Sequence, residues 1–160
     1  MKKLLIVLGM GGHTSQILRL VERLGSRYTY EYVKGHDDTT STSVLSFKGK
    51  IYTMKNPRLM KDHSLLKVTW NMVPATIQAL RILKRSKPDA IISAGPSLAI
   101  PLFWLARMMG IKTIFMESWV RVHHKSWAGR LVYPVSDLFL VQWESLKRVY
   151  PKAIFAGRLS

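Results

Sequence analysis

The 160-residue sequence contains no cysteine, which excludes disulfides and thiolate-ligated metals and makes a reducing compartment the expectation. Acidic residues are scarce: 9 Asp and Glu stand against 25 Lys and Arg, for a formal net charge of +16. That imbalance exceeds what solubility asks of a small domain and predicts a polyanionic partner. Long apolar runs are missing as well. The opening Leu4-Leu5-Ile6-Val7-Leu8 is cut by Gly9 and is too short for a secretory core. Segment 97–109 falls far below the ~20 apolar residues that span a bilayer. Membrane attachment is therefore expected to be peripheral, on the cytoplasmic face, or supplied by a partner. No RNP-type strand, zinc-finger spacing or convincing helix-turn-helix accompanies the charge, and the cations are interspersed with Trp, Met and Leu. An anionic membrane surface, and no nucleic acid, is the partner expected.

Short apolar runs alternate with helical periodicity along the whole chain. Strands are expected at 3–8, 28–33, 50–54, 90–94, 112–116, 138–142 and 153–156, and helices at 14–24, 65–85, 97–109, 129–136 and 144–149. This order predicts one domain over 1–160: a Rossmann-like α/β fold, its sheet mostly parallel, with helices on both faces. Segment 36–46, rich in Asp, Thr and Ser, has no apolar period and is expected to be a solvated loop. Pro74 is expected to kink its helix. The last strand runs into Gly157-Arg158-Leu159-Ser160, where an enzyme of two such domains would begin its interdomain connection.

Gly9-Met10-Gly11-Gly12-His13-Thr14 lies between the first strand and the first helix. Glycines there let backbone N–H groups approach an anion at a helix N-terminus, so a phosphate or diphosphate is the natural ligand. A dinucleotide fits poorly, since Thr14 stands where G-x-G-x-x-G has its third glycine. His13, beside such a phosphate, is a candidate general base, although a lone histidine can equally serve only as a hydrogen-bond donor. Gly95-Pro96-Ser97 follows the fourth strand and Glu117-Ser118 the fifth, with Arg121 just beyond. A parallel sheet brings both segments to the rim that carries the glycine loop. Glu117 ends a buried strand, where a carboxylate needs a partner; an ion pair with Arg121 or Arg130 is the structural alternative to a functional role. His36-Asp37-Asp38 lacks the spaced D-x-D bite of metal-dependent sugar transferases, and His123-His124 are adjacent and point apart, so no metal is expected. Finally, Lys55, Arg58, Lys61 and Lys67 precede or enter a segment carrying Trp70 and Met72. That segment could set cations on lipid phosphates and apolar groups in the headgroup region while also covering the sheet.

Seven blocks, in order, resemble a known family. They are residues 9–14, Asn56-Pro57-Arg58, 88–96, Met116-Glu117-Ser118-Trp119-Val120-Arg121-Val122, Gly129-Arg130-Leu131-Val132-Tyr133, 137–143 and Tyr150-Pro151-Lys152-Ala153. The chain is similar to the asparagine-linked glycosylation fourteen family, which also includes bacterial exopolysaccharide relatives. The resemblance implies the N-terminal, acceptor-binding half of a MurG-like GT-B glycosyltransferase, split from a donor-binding partner subunit that binds a UDP-sugar, with UDP-GlcNAc the donor expected. The acceptor implied is a polyprenyl-diphosphate-linked saccharide of N-glycan or surface polysaccharide assembly. Gly11, Gly12, His13 and Thr14 would hold its diphosphate, His13 and Glu117 would be the catalytic candidates, and Gly95, Pro96, Ser97, Ser118 and Arg121 would form the acceptor rim. No cofactor is implied, the UDP-sugar being a substrate. The alternative from a different class is a non-catalytic scaffold that docks a soluble transferase onto membranes.

Overall fold

The computed structural model describes residues 1–57 and 65–159, without the side chains of 65–71. Seven parallel strands form one sheet: β1 Lys3–Val7, β2 Thr29–Gly35, β3 Lys50–Met54, β4 Ala90–Ser93, β5 Lys112–Met116, β6 Leu138–Val141 and β7 Ile154–Phe155. Their spatial order is β3-β2-β1-β4-β5-β6-β7. The order reverses between β1 and β4, so the crevice in which open α/β sheets bind ligands lies beyond those two strands.

The strands are hydrophobic on both faces because both faces are covered. In β1, Leu4 and Ile6 join Ile17 and Val21 of helix α1 (Gly12–Leu24), Tyr32 and Ile92. Leu5 and Val7 point the other way, into a larger core with Ala79 and Leu83 of α2 (Leu65–Ser86) and Leu102 and Phe103 of α3 (Ala99–Met108). Helix α4 (Trp127–Val132) adds Ala128 and Val132 to that second core. Leu5 is fully buried, and truncating such a residue to alanine costs about 2–5 kcal/mol.

Two expectations need correction. The 144–149 segment is a 3-10 turn over Glu144–Arg148, too short to reward an α-helical nucleus. The 36–46 segment is a loop, but its centre is not solvated: Asp38 and Ser41 are buried, with Ser41–Val44 wound as 3-10 helix. Asp38 accepts hydrogen bonds from Thr40 N, Ser41 N and the Ser41 hydroxyl, which lets a carboxylate sit inside. Pro74 lies within α2, which continues as one helix through it. Among the described residues no helix is long and apolar enough to cross a membrane.

Candidate functional site

The glycine loop after β1 leads directly into α1, whose N-terminal position is held by Gly11 at φ 61° without a side-chain cap. The first-turn amides of a helix have no intrahelical carbonyl and form a partial positive charge. The amides of Thr14 and Ser15 are already bonded to Gly11 O. Thr14 itself is buried, its hydroxyl donating to Gly9 O and contacting Ser41 Oγ at 3.0 Å. Of the four residues expected to hold a diphosphate, Gly11 and His13 line the cleft. Gly12 is exposed beside them. Thr14 braces the loop from behind.

His13 bridges the switch point. Its Nδ1 lies 2.7 Å from Ala94 O at the end of β4. A carbonyl only accepts, so Nδ1 carries the proton and, in the neutral ring, Nε2 keeps its lone pair. The next residue, Gly95, has φ 115°, and a Cβ there would stand 3.0 Å from His13 Cε1. Both backbone and space therefore demand glycine. A side chain at 95 would dislodge the imidazole.

The cleft has a volume of about 650 Å³. Strand order sets its walls. Beyond β2 and β3 stand Gly35, Asp38 and Asn56; at the centre, Gly9 to Gly11, His13 and Gly95 to Leu98; beyond β5, Ser118, Val120, Arg121, Ser126, Trp127 and Ala128. Gly95, Pro96, Ser97, Ser118 and Arg121, all expected at the rim, are brought together here. Ser97 Oγ donates to Asn56 Oδ1 at 3.2 Å, and Asn56 Nδ2 donates to Asp37 at 3.2 Å, so three loops are laced across the β3 side.

Glu117 does not line this cleft. It is fully buried behind the β5 wall and accepts hydrogen bonds from Ser118 N at 2.9 Å, Ser126 N at 3.3 Å, Ser126 Oγ at 3.0 Å and the Tyr150 hydroxyl at 2.8 Å. Its partners are amides and hydroxyls rather than Arg121 or Arg130. Burial first, and then the adjacent Glu117 charge, push the Tyr150 hydroxyl up from its ordinary range, keeping it a donor. Ser126 in turn accepts from Gly129 N at 2.9 Å, capping α4. Gly129 leaves room for this: a Cβ there would lie 2.3 Å from Glu117 Oε2. Glu117 thus holds Ser118 and Ser126, the two ends of the loop that forms the β5 wall.

Lys55 is exposed. Arg58 and Lys61, and the side chains of Lys67 and Trp70, lie outside the described residues. Among the described residues no group of three or more His, Cys, Asp or Glu is arranged to hold a metal ion. Sequence reasoning did not assign Asp38, Asn56 or Ser126 to the cleft. Asp38 and Asn56 each follow the carboxyl end of a strand, the same signal that singled out Ser97 and Ser118.

Solved structures share this architecture. The N-terminal region of MurG from Acinetobacter baumannii superposes with TM-score 0.69 at 17% identity, over 88% of this chain and 40% of that one. UDP-GlcNAc 2-epimerase from Methanocaldococcus jannaschii gives TM-score 0.73 at 15% identity, over 98% and 46%. The chain spans less than half the length of either, and the likeness identifies the fold, one Rossmann-like half of a GT-B architecture. Sequence relatives are nearer. The UDP-N-acetylglucosamine transferase subunit alg14 of Schizosaccharomyces pombe is 32% identical over 174 residues, covering 98% of this chain and 82% of the relative. Its human counterpart, ALG14, is 29% identical over 177 residues with the same coverage. The family model described as "Oligosaccharide biosynthesis protein Alg14 like" matches residues 4–159, and on that match the chain belongs to the Alg14-like family of oligosaccharide biosynthesis proteins.

Proposed function

We propose that this chain is the acceptor-binding, membrane-recruiting subunit of a split GT-B glycosyltransferase. It would work with a donor-binding partner to transfer a sugar, GlcNAc from UDP-GlcNAc, to a polyprenyl-diphosphate-linked saccharide. Family membership supports the broader part, a glycosyltransferase subunit. The observation that carries the acceptor role is the cleft at the switch point, where the glycine loop at a helix start, the exposed Arg121 and an oriented imidazole converge.

In this proposal the diphosphate lies between the glycine loop and Arg121, where amides and a guanidinium complement its charge. His13 Nε2 accepts the proton of the attacking sugar hydroxyl while the partner's UDP-sugar loses UDP. The Nδ1 bond to Ala94 O fixes the tautomer and aims the ring, as a general base requires. Glu117 acts at one remove, by fixing Ser118 and Ser126. Membrane contact falls to Lys55, exposed just after β3, and to the middle of α2, where Val73 and Ile77 are 62% and 48% exposed. Each cation near an anionic leaflet contributes about 1 kcal/mol, screened by salt.

The test is reconstitution: the chain, a donor-binding partner, UDP-GlcNAc and a polyprenyl-diphosphate-linked GlcNAc. Transfer by the wild-type complex, lost in His13→Ala with partner capture unchanged, supports the proposal. Undiminished transfer by His13→Ala and Glu117→Ala together would leave a scaffold that only docks a transferase.

A further inference from the structure

The cleft is chemically two-sided. On the β2 and β3 flank it presents the amide of Asn56 and the hydroxyl of Ser97, both partly exposed. On the β5 flank it presents Arg121 and then Val120, which is 69% exposed. The β5 flank does not end at the cleft. Trp127, a lining residue, opens α4, and Leu131, one turn further on the same face, is 37% exposed. Trp104 of α3 donates its indole N–H to Leu131 O at 3.1 Å, which ties the two helices surface to surface. Trp104 is 44% exposed, and Met108, four residues along the same face of α3, is 81% exposed.

Single exposed apolar residues are ordinary on any protein. Here Val120, Trp127, Leu131, Trp104 and Met108 follow one another from the lip of a polar cleft to the outer surface of a helix. Of the cations beside it, Arg107 is engaged by Asp137 at 2.7 Å, while Arg121 and Arg130 are exposed at its cleft end and beside Leu131. A ligand matching this layout has a hydroxyl-rich end, an anionic middle and a long flexible apolar end.

We infer that the strip from Val120 along α4 to Met108 is a track for the isoprenoid tail of the acceptor, and that Asn56 and Ser97 face its saccharide. The inference rests on the acceptor-binding function proposed above and adds the direction in which the acceptor lies. The saccharide sits over the carboxyl ends of β2 and β3, the diphosphate at the glycine loop and Arg121, and the tail leaves past β5. Partial contact with an apolar strip stabilises the bound tail by the area it removes from water and does nothing for an acceptor without a tail.

The experiment compares two diphosphate-linked GlcNAc acceptors in the reconstituted complex, one with a short water-soluble tail and one with a long polyprenyl tail. Leu131→Ser combined with Met108→Ser lies outside the cleft. It should raise KM for the long-tailed acceptor about tenfold and leave kcat and KM for the short-tailed one unchanged. Equal losses with both acceptors, or none with either, would overturn the track. A second measurement needs no fold-sensitive change, because position 108 is exposed: a photo-crosslinking side chain placed there, in nanodiscs of phosphatidylcholine, should capture the long tail. Capture of bilayer lipid alone would make the strip a membrane contact instead. Absence of transfer to either acceptor by the wild-type complex would remove the acceptor function and the track with it.

Discussion

Two carboxylates sit at opposite ends of β5 and β6, and they are satisfied in opposite ways. Asp137, before β6, pairs with Arg107 at 2.7 Å and Lys112 at 3.6 Å and accepts from Thr113 N at 2.9 Å. Glu117, after β5, has among the described residues only neutral donors, two amides and two hydroxyls. A charge clamped by cations ties strand ends together and consumes the cations. A buried charge held by neutral donors costs more to desolvate but leaves Arg121 exposed toward the cleft. The amino ends of these strands are tied by ion pairs; the carboxyl rim leaves Arg121 exposed.

Breaking the rim should separate catalysis from stability. His13→Ala should lower turnover of the reconstituted complex by ~10²-fold or more while the thermal midpoint of the chain stays within a few degrees. The assay is initial rate beside differential scanning calorimetry. A smaller loss, with the fold intact, would leave His13 a phosphate ligand.

Glu117→Ala should do both. It strands the buried donors of Ser118 and Ser126, each costing about 1–3 kcal/mol, and frees the β5 wall. Chemical denaturation should show the loss, and acceptor KM should rise more than kcat falls. A pure kcat defect with unchanged KM would mean that Glu117 meets the reacting atoms after all.

Asp137→Asn should act on the fold alone, lowering stability by about 1–3 kcal/mol with normal turnover in the folded complex. Burial works against the Asp137 charge, but hydrogen bonds from Thr113 and the charges of Lys112 and Arg107 outweigh it and hold the carboxyl below its ordinary range. A depressed pKa contributes stability above the unfolded value of about 4, and that contribution is lost as pH falls through the folded value. The gap in thermal midpoint between wild type and Asp137→Asn should therefore close below about pH 4. A gap that persists there would assign the effect to packing.

The smallest expected effect is at the membrane. Replacing Lys55 by Gln should weaken sedimentation with anionic vesicles by only a few fold at physiological salt, as one cation of about 1 kcal/mol implies. No change at low salt would take Lys55 out of the contact.

The strand-end positions were legible because they need only the alternation of apolar runs and the rule that a parallel sheet gathers its carboxyl ends. That logic placed Gly11, His13, Gly95, Ser97 and Ser118 on one rim, where the structure has them. It was not extended to Asn56, although that residue follows the end of β3, nor to Asp38, because a polar residue in a segment without apolar period looks solvated until a tertiary partner buries it. For Asp38 the partners are backbone amides and Ser41, which no periodicity reveals. Glu117 was rightly singled out for needing a partner. Its distance from the cleft could not be read, because a strand's last side chain faces either layer depending on a register that only the sheet fixes. The 144–149 turn was misjudged because so short a stretch carries too little signal to separate 3-10 from α.

The most direct test of the acceptor role is binding without catalysis. The chain alone, without a partner, should bind a short-tailed diphosphate-linked GlcNAc in isothermal titration, with Arg121→Gln and Gly95→Ala each weakening binding tenfold or more. It should show no transfer from UDP-GlcNAc until the donor-binding partner is added. Transfer by the verified single chain, or acceptor binding that appears only on the partner, would contradict the division of labour proposed here.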